Sequence, residues 1–148
     1  MFVTVTGTPN IIQEPTSQQF EAATTTVEIK IDITNATSTE DIKNITKEYF
    51  KDTPLLAEIA RCESTYRQFN SDGVVLRGKV NSLDVGVMQI NEKYHSARSK
   101  KLGMDIHTLE GNLEYGSLLF KESGGQPWSA SKPCWGKTQS TEILAVNI

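Results

Sequence analysis

The sequence predicts a mainly helical α+β domain with a small β-hairpin region, preceded by an extended N-terminal arm. Three observations carry this. Residues 1–40 are crowded with Thr, Ser, Gln, Asn and Pro, whereas the pattern turns helical from residue 38 onward. Within 38–136, three stretches carry apolar residues at helical spacing, the first two behind a helix-start signal. Between the second and third, residues 66–84 are irregular and carry Asn70, Asp72-Gly73, Gly78 and Asn81-Ser82, the chemistry of turns and a short hairpin.

At 148 residues the chain holds one domain, 38–136, with the arm at 1–37 and a tail at 137–148. Apolar residues make up 37%, so a core has to be drawn from the middle segment. The charge, 15 Lys+Arg against 18 Asp+Glu, is −3, which argues against nucleic acid as the partner, since phosphate binding needs a basic surface. No apolar run approaches the ~18 residues of a membrane span. The opening MFVTVTGTPNII lacks the basic and long apolar regions of a signal peptide. If the protein is exported, its signal was removed or lies outside this chain.

In the arm, Val27, Ile29, Ile31 and Ile33 alternate with polar residues, a strand template over 26–34 that either docks as an edge or stays extended. The sequons at Asn35 and Asn44 are read as products of a Thr/Asn-rich composition. Ser38 then caps a helix with Glu40 and Asp41 in its first turn and Ile42, Ile45, Tyr49 and Phe50 behind. Thr53-Pro54 starts a second helix, Pro54 to about Ser64, whose apolar stripe is Leu55, Leu56, Ile59 and Cys62. Val74–Arg77 is a strand candidate, and Val87–Ile90 begins the next ordered stretch. The basic run Lys93–Lys101 reads as a solvated helix face, with Tyr94 and His95 where a cleft wall would lie. Leu109, Leu113, Leu118, Leu119 and Phe120 define a helix over 108–122, stopped by Gly124-Gly125 as an αL cap.

Glu63 follows Leu56 by seven residues and Ile59 by four, so a carboxyl group continues an apolar stripe. Desolvation makes such a group a weaker acid, which is what a general acid near neutrality needs. The plainer reading has Glu63 hydrogen-bonded to the next loop and fixing it. Downstream, Gln89 and Asn91 offer hydrogen bonds to sugar hydroxyl and acetamido groups, Met88 an apolar wall, and Gly86 close backbone approach. The two cysteines, Cys62 and Cys134, are ambiguous by count alone, with buried free thiols the plainer reading. Paired, they would contribute about 4 kcal/mol and imply an oxidising compartment. With only His95 and His107 besides, no metal-ligand spacing exists, and no cofactor is expected.

Glu63-Ser64 followed by Gly86-Val87-Met88-Gln89-Ile90 resembles the E-S … G-x-M-Q-I signature of lysozyme-like lytic transglycosylases. The fuller run Asn81-Ser82-Leu83-Asp84-Val85-Gly86-Val87-Met88-Gln89-Ile90-Asn91 is similar to the small members that accompany type III and type IV secretion systems, and Asn112–Gly116 resembles their N-I/L-x-x-G helix. Cys62-Glu63-Ser64 and the Trp128 to Cys134 segment resemble elements of resuscitation-promoting factors. Together the resemblances span about 54–136.

The resemblance implies a lysozyme-like fold whose cleft cuts the β-1,4 bond between N-acetylmuramic acid and N-acetylglucosamine in peptidoglycan. It makes Glu63 the single acid/base, with Ser64 and Gln89 contacting substrate or orienting the glutamate. It makes Cys62–Cys134 a disulfide, and places the protein outside the cytoplasm as a monomer, with a secretion or phage assembly as a further partner. The chain lacks the family's A-x-Y-N-x-G element, for which Tyr115 or Trp128 would stand in. Two alternatives stay open. One is a hydrolytic muramidase with Asp84 as second carboxylate, about 5–5.5 Å away if retaining, although Asp84 reads more simply as a loop cap. The other is a module that binds glycan or docks in an assembly without cleaving.

Overall fold

Where the backbone of a helix lacks partners, a hydroxyl or a proline takes over. Ser38 Oγ accepts from Asp41 N at 3.1 Å and starts α1, Thr39–Tyr49, whose first turn carries Glu40 and Asp41. Its inner face buries Ile42 and Ile45, with Phe50 just beyond. Pro54 opens α2, Pro54–Ser64; Thr53 sits at the cap position without a side-chain hydrogen bond. Leu56, Ala57, Ile59 and Ala60 are buried from α2, as the apolar stripe requires. The helix ends abruptly because Thr65 and Tyr66 both take left-handed backbone, φ 56° and 58°, an unusual state for a β-branched residue.

The structure, a computed structural model, describes residue 33 and residues 35–137. The strand expected over 26–34, Ile33 apart, and the tail beyond 137 lie outside the described residues. The described residues are mainly helical with one two-stranded antiparallel sheet. Strand β1, Asp84–Val85, pairs with β2, Ile90–Asn91, in the register Asp84 to Asn91 and Val85 to Ile90.

Val74–Arg77 forms no ladder, only single bridges from Val75 to Phe69 and from Arg77 to Val85. Its hydrogen bonds go first to 68–70 (Leu76 N to Gln68 O, 2.8 Å) and then to 84–86 (Gly86 N to Leu76 O, 2.9 Å), so neither pairing runs long. The ordered stretch expected from Val87–Ile90 begins as a turn over 87–89, because Gly86 and Gln89 have φ 74° and 49° and reverse the chain, and Ile90 then opens β2.

Helix α3, Glu92–Lys101, has an acid in its first turn and Arg98, Lys100 and Lys101 in its last, and only Ser99 of it is buried. Helix α4, Leu109–Ser123, is capped by Thr108 Oγ1, which accepts from Gly111 N at 3.1 Å. It stops at Gly124 with φ 59° and ψ −140°, a region open essentially to glycine alone, and not the αL cap the sequence predicted. A 3₁₀ segment, Gln126–Ser131, then buries Trp128, and residues 132–137 are again helical with Trp135 buried.

Cys62 and Cys134 are bonded through sulfur (S–S 2.08 Å, Cα–Cα 6.0 Å), so the free-thiol reading of the count does not hold. The bridge closes a 72-residue loop, worth about 4 kcal/mol in the chain-entropy description. It ties the last turn of α2 to the C-terminal segment, between the residues that flank it, Glu63 and Trp135. Among the described residues, no helix is long and apolar enough to cross a membrane.

Candidate active site

A buried turn has backbone groups that its own short strands cannot satisfy. Residues 85–88 are fully or almost fully buried, and side chains from distant elements meet their polar groups. Gln68 Oε1 accepts from Val87 N (2.8 Å), and Asn112 Oδ1 from Met88 N (2.8 Å). Asn112 Nδ2 donates to Val85 O (3.0 Å), Ser64 Oγ to Val87 O (2.8 Å), and Trp128 Nε1 to Met88 O (2.8 Å). A Cβ at Gly86 would stand 2.3 Å from Asn112 Nδ2 and 2.6 Å from Gln68 Oε1, so only glycine lets these two amides close on the turn. The α2 terminus, α4 and the C-terminal segment are thereby fastened to one loop.

That fastening sets up a groove of two lobes. One, about 600 Å³, is lined by Ser64, Arg67, Arg77, Lys79 and Asn81 among others. The other, about 280 Å³, is lined by Asn91, Tyr94, His95, Pro127 and Trp128. Glu63, Asp84, Gln89 and Ala130 border both. Glu63 is half-buried at this junction, and its Oε1 accepts from Ser131 Oγ at 2.5 Å. Burial pushes the Glu63 carboxyl above the ordinary glutamate range; the Ser131 hydroxyl works against that, and the negative Asp84 adds to it.

Asp84 Oδ1 accepts from Asn91 Nδ2 (2.7 Å) and Asn81 Nδ2 (3.2 Å), the behaviour of a loop-capping carboxylate that also faces the groove. Gln89 Nε2 donates to Gly86 O at 2.9 Å, which holds its side chain beside the turn at the junction. Tyr94 is exposed on the smaller lobe. His95 Nδ1 lies 3.1 Å from the Tyr115 hydroxyl; burial and the neighbouring Arg98 push the imidazole below its ordinary value and favour the neutral ring.

The residues expected at the site therefore divide. Glu63, Asp84, Gln89, Asn91 and Tyr94 share the groove. Met88 does not face it as a sugar wall: it is wholly buried, with its side chain packed against Gly116. Tyr115 is likewise wholly buried beneath His95, and Gly86 serves the internal turn. Ser64 borders the larger lobe, but its hydroxyl is spent on Val87 O and Ala60 O and accepts from Arg67 N. Trp128 borders the smaller lobe at 3% exposure, its indole N–H committed inward to Met88 O.

Sequence reasoning missed Ser131, Gln68 and the cations Arg67, Arg77 and Lys79 of the larger lobe. Arg77 is itself paired with Glu92 at 2.7 Å. Among the described residues, no cluster of three His, Cys, Asp or Glu side chains is placed to hold a metal ion. No family model, curated protein or solved structure matches the chain.

Proposed function

We propose that the chain is a lysozyme-like glycosidase that cleaves the β-1,4 bond between N-acetylmuramic acid and N-acetylglucosamine in peptidoglycan. The observation that carries this reading is the half-buried Glu63 carboxyl at the junction of two groove lobes. A carboxyl made a weaker acid by burial can give its proton to a glycosidic oxygen lying across that junction. The two lobes leave room for sugar on either side of the bond, and Gln89 and Asn91 line the wall. The similarity of Glu63-Ser64 and Gly86–Asn91 to the transglycosylase signature supports the same assignment.

In this reading Glu63 first protonates the leaving oxygen, and the substrate's own 2-acetamido group steadies the positive anomeric carbon. The Glu63 carboxylate then takes the proton of the muramyl 6-hydroxyl, whose oxygen bonds to the anomeric carbon and closes a 1,6-anhydro ring. One carboxyl suffices for both steps. The presence of Asp84 on the same groove supports a second reading, hydrolysis by water with Asp84 as the partner carboxylate. The Cys62–Cys134 bridge fits work in an oxidising, extracytoplasmic compartment.

Clearing of purified cell walls by the wild type and not by Glu63→Gln tests the assignment. Equal clearing by both, or none by either, removes it in favour of a glycan-binding or assembly module. Mass spectrometry of the released muropeptides separates the two chemistries, because an anhydro end is lighter than a hydrolysed one by one water.

A further inference from the structure

Ser131 meets three partners through a single hydroxyl. Its Oγ lies 2.5 Å from Glu63 Oε1, 3.1 Å from Trp128 O and 3.0 Å from Trp135 Nε1. A hydroxyl has one proton to give and two lone pairs with which to accept. The Trp135 indole N–H only donates, and its one proton is shared between a Ser131 lone pair and Trp128 O. The Trp128 carbonyl only accepts, and its two lone pairs serve both Ser131 and the same indole, 3.0 Å away. The Ser131 proton therefore has two destinations, Glu63 or Trp128 O. The remaining lone pair has one donor within reach, a protonated Glu63.

We propose that Ser131 is a positioning residue that serves both protonation states of Glu63, donating to the carboxylate and accepting from the acid. When Glu63 takes up a proton, the Ser131 hydroxyl turns to Trp128 O and its free lone pair receives the Glu63 O–H. When Glu63 gives the proton away, the hydroxyl turns back. No heavy atom moves. A fixed donor such as an amide would hold only the carboxylate, and a fixed acceptor only the acid. The inference rests on the glycosidase reading, in which the same carboxyl has to act as acid and then as base without losing its aim. The Cys62–Cys134 bridge supports the geometry, since it joins the neighbour of Glu63 to the neighbour of Trp135.

The test uses the full, disulfide-bonded chain. Carbon-13 NMR titration follows the Glu63 carboxyl in the wild type, Ser131→Ala, Ser131→Thr and Trp135→Phe, alongside rates of peptidoglycan cleavage across pH. Ser131→Ala is expected to raise the Glu63 midpoint, because the carboxylate loses its donor. It is also expected to lower kcat roughly tenfold, the scale of one charge-assisted hydrogen bond, on both sides of that midpoint with KM little changed. Ser131→Thr, which keeps the hydroxyl, restores both. Trp135→Phe gives a smaller upward shift and stands in if Ser131→Ala does not fold.

An unchanged midpoint together with an unchanged rate in whichever variant folds overturns the proposal. So does a loss of rate confined to pH values above the midpoint, since the hydroxyl would then serve the carboxylate alone. A shifted midpoint in a protein that cleaves nothing at any pH overturns the glycosidase reading and leaves the hydrogen-bond exchange in place.

Discussion

Ser64 Oγ donates to the carbonyl of Val87 at 2.8 Å, so the residue beside Glu63 is joined directly to the turn that carries Gln89. The two groove residues are thus placed by a bond that neither of them makes. Ser64→Ala leaves the buried Val87 carbonyl without this donor, which costs about 1–3 kcal/mol. Chemical denaturation should show a lower midpoint with an unchanged slope. An unchanged midpoint would mean that water takes over the carbonyl and that the junction does not depend on this bond.

Glu63→Gln is expected to stabilise the fold near neutrality while abolishing cleavage. The Glu63 carboxyl is held above its unfolded value chiefly by burial. An acid raised in the folded state contributes its stability below the unfolded pKa and loses it as pH rises through the folded one. Wild type should therefore fall behind Glu63→Gln from the ordinary glutamate range up to the raised Glu63 value, and run parallel above it. Thermal melts of both proteins across that window measure the gap, and parallel curves throughout would contradict the assigned burial.

Gly86→Ala places a methyl group 2.3 Å from Asn112 Nδ2 at a residue whose φ is 74°. Left-handed backbone and overpacking each cost about 1–3 kcal/mol, so a loss on the order of 3 kcal/mol is expected. Gly73, also at φ 74° but with nothing near its Cβ position, is the control: Gly73→Ala pays the backbone term alone. Equal losses at the two positions would show that the amides do not close on the turn.

Reduction of Cys62–Cys134, or the double substitution to serine, removes about 4 kcal/mol. For a domain of this size that lowers the melting temperature by roughly 15–30 °C. Thiol titration of the native protein should find no free sulfhydryl; finding two would dispose of the bridge.

Much of this architecture was legible from local patterns. The Ser38 and Pro54 starts are encoded within four residues of themselves, and the structure has helices at each. Glu63 stood out because a carboxyl broke an otherwise apolar stripe, and the groove places it with Asp84, Gln89 and Asn91. Long-range pairings were not legible. Ser131 reaches Glu63 across 68 residues, and Gln68 reaches Val87 across 19, contacts that no spacing rule contains. Met88 was misjudged for a related reason: an apolar side chain looks the same in a sequence whether it lines a cleft or fills the core. Val74–Arg77 carried strand-forming residues, yet which neighbours they meet was decided by the turns at Gly73 and Gly86.

The loop that carries Gln89 owes its shape to Ser64, Gln68, Asn112 and Trp128, which reach it from 19 to 40 residues away. A partly folded chain with its helices formed but undocked would have none of these bonds. Contacts so far apart in sequence are made late, after the loops between them have closed. The groove is accordingly an all-or-none property of the finished domain, and a helical fragment or a collapsed intermediate would not show even a weakened version of it.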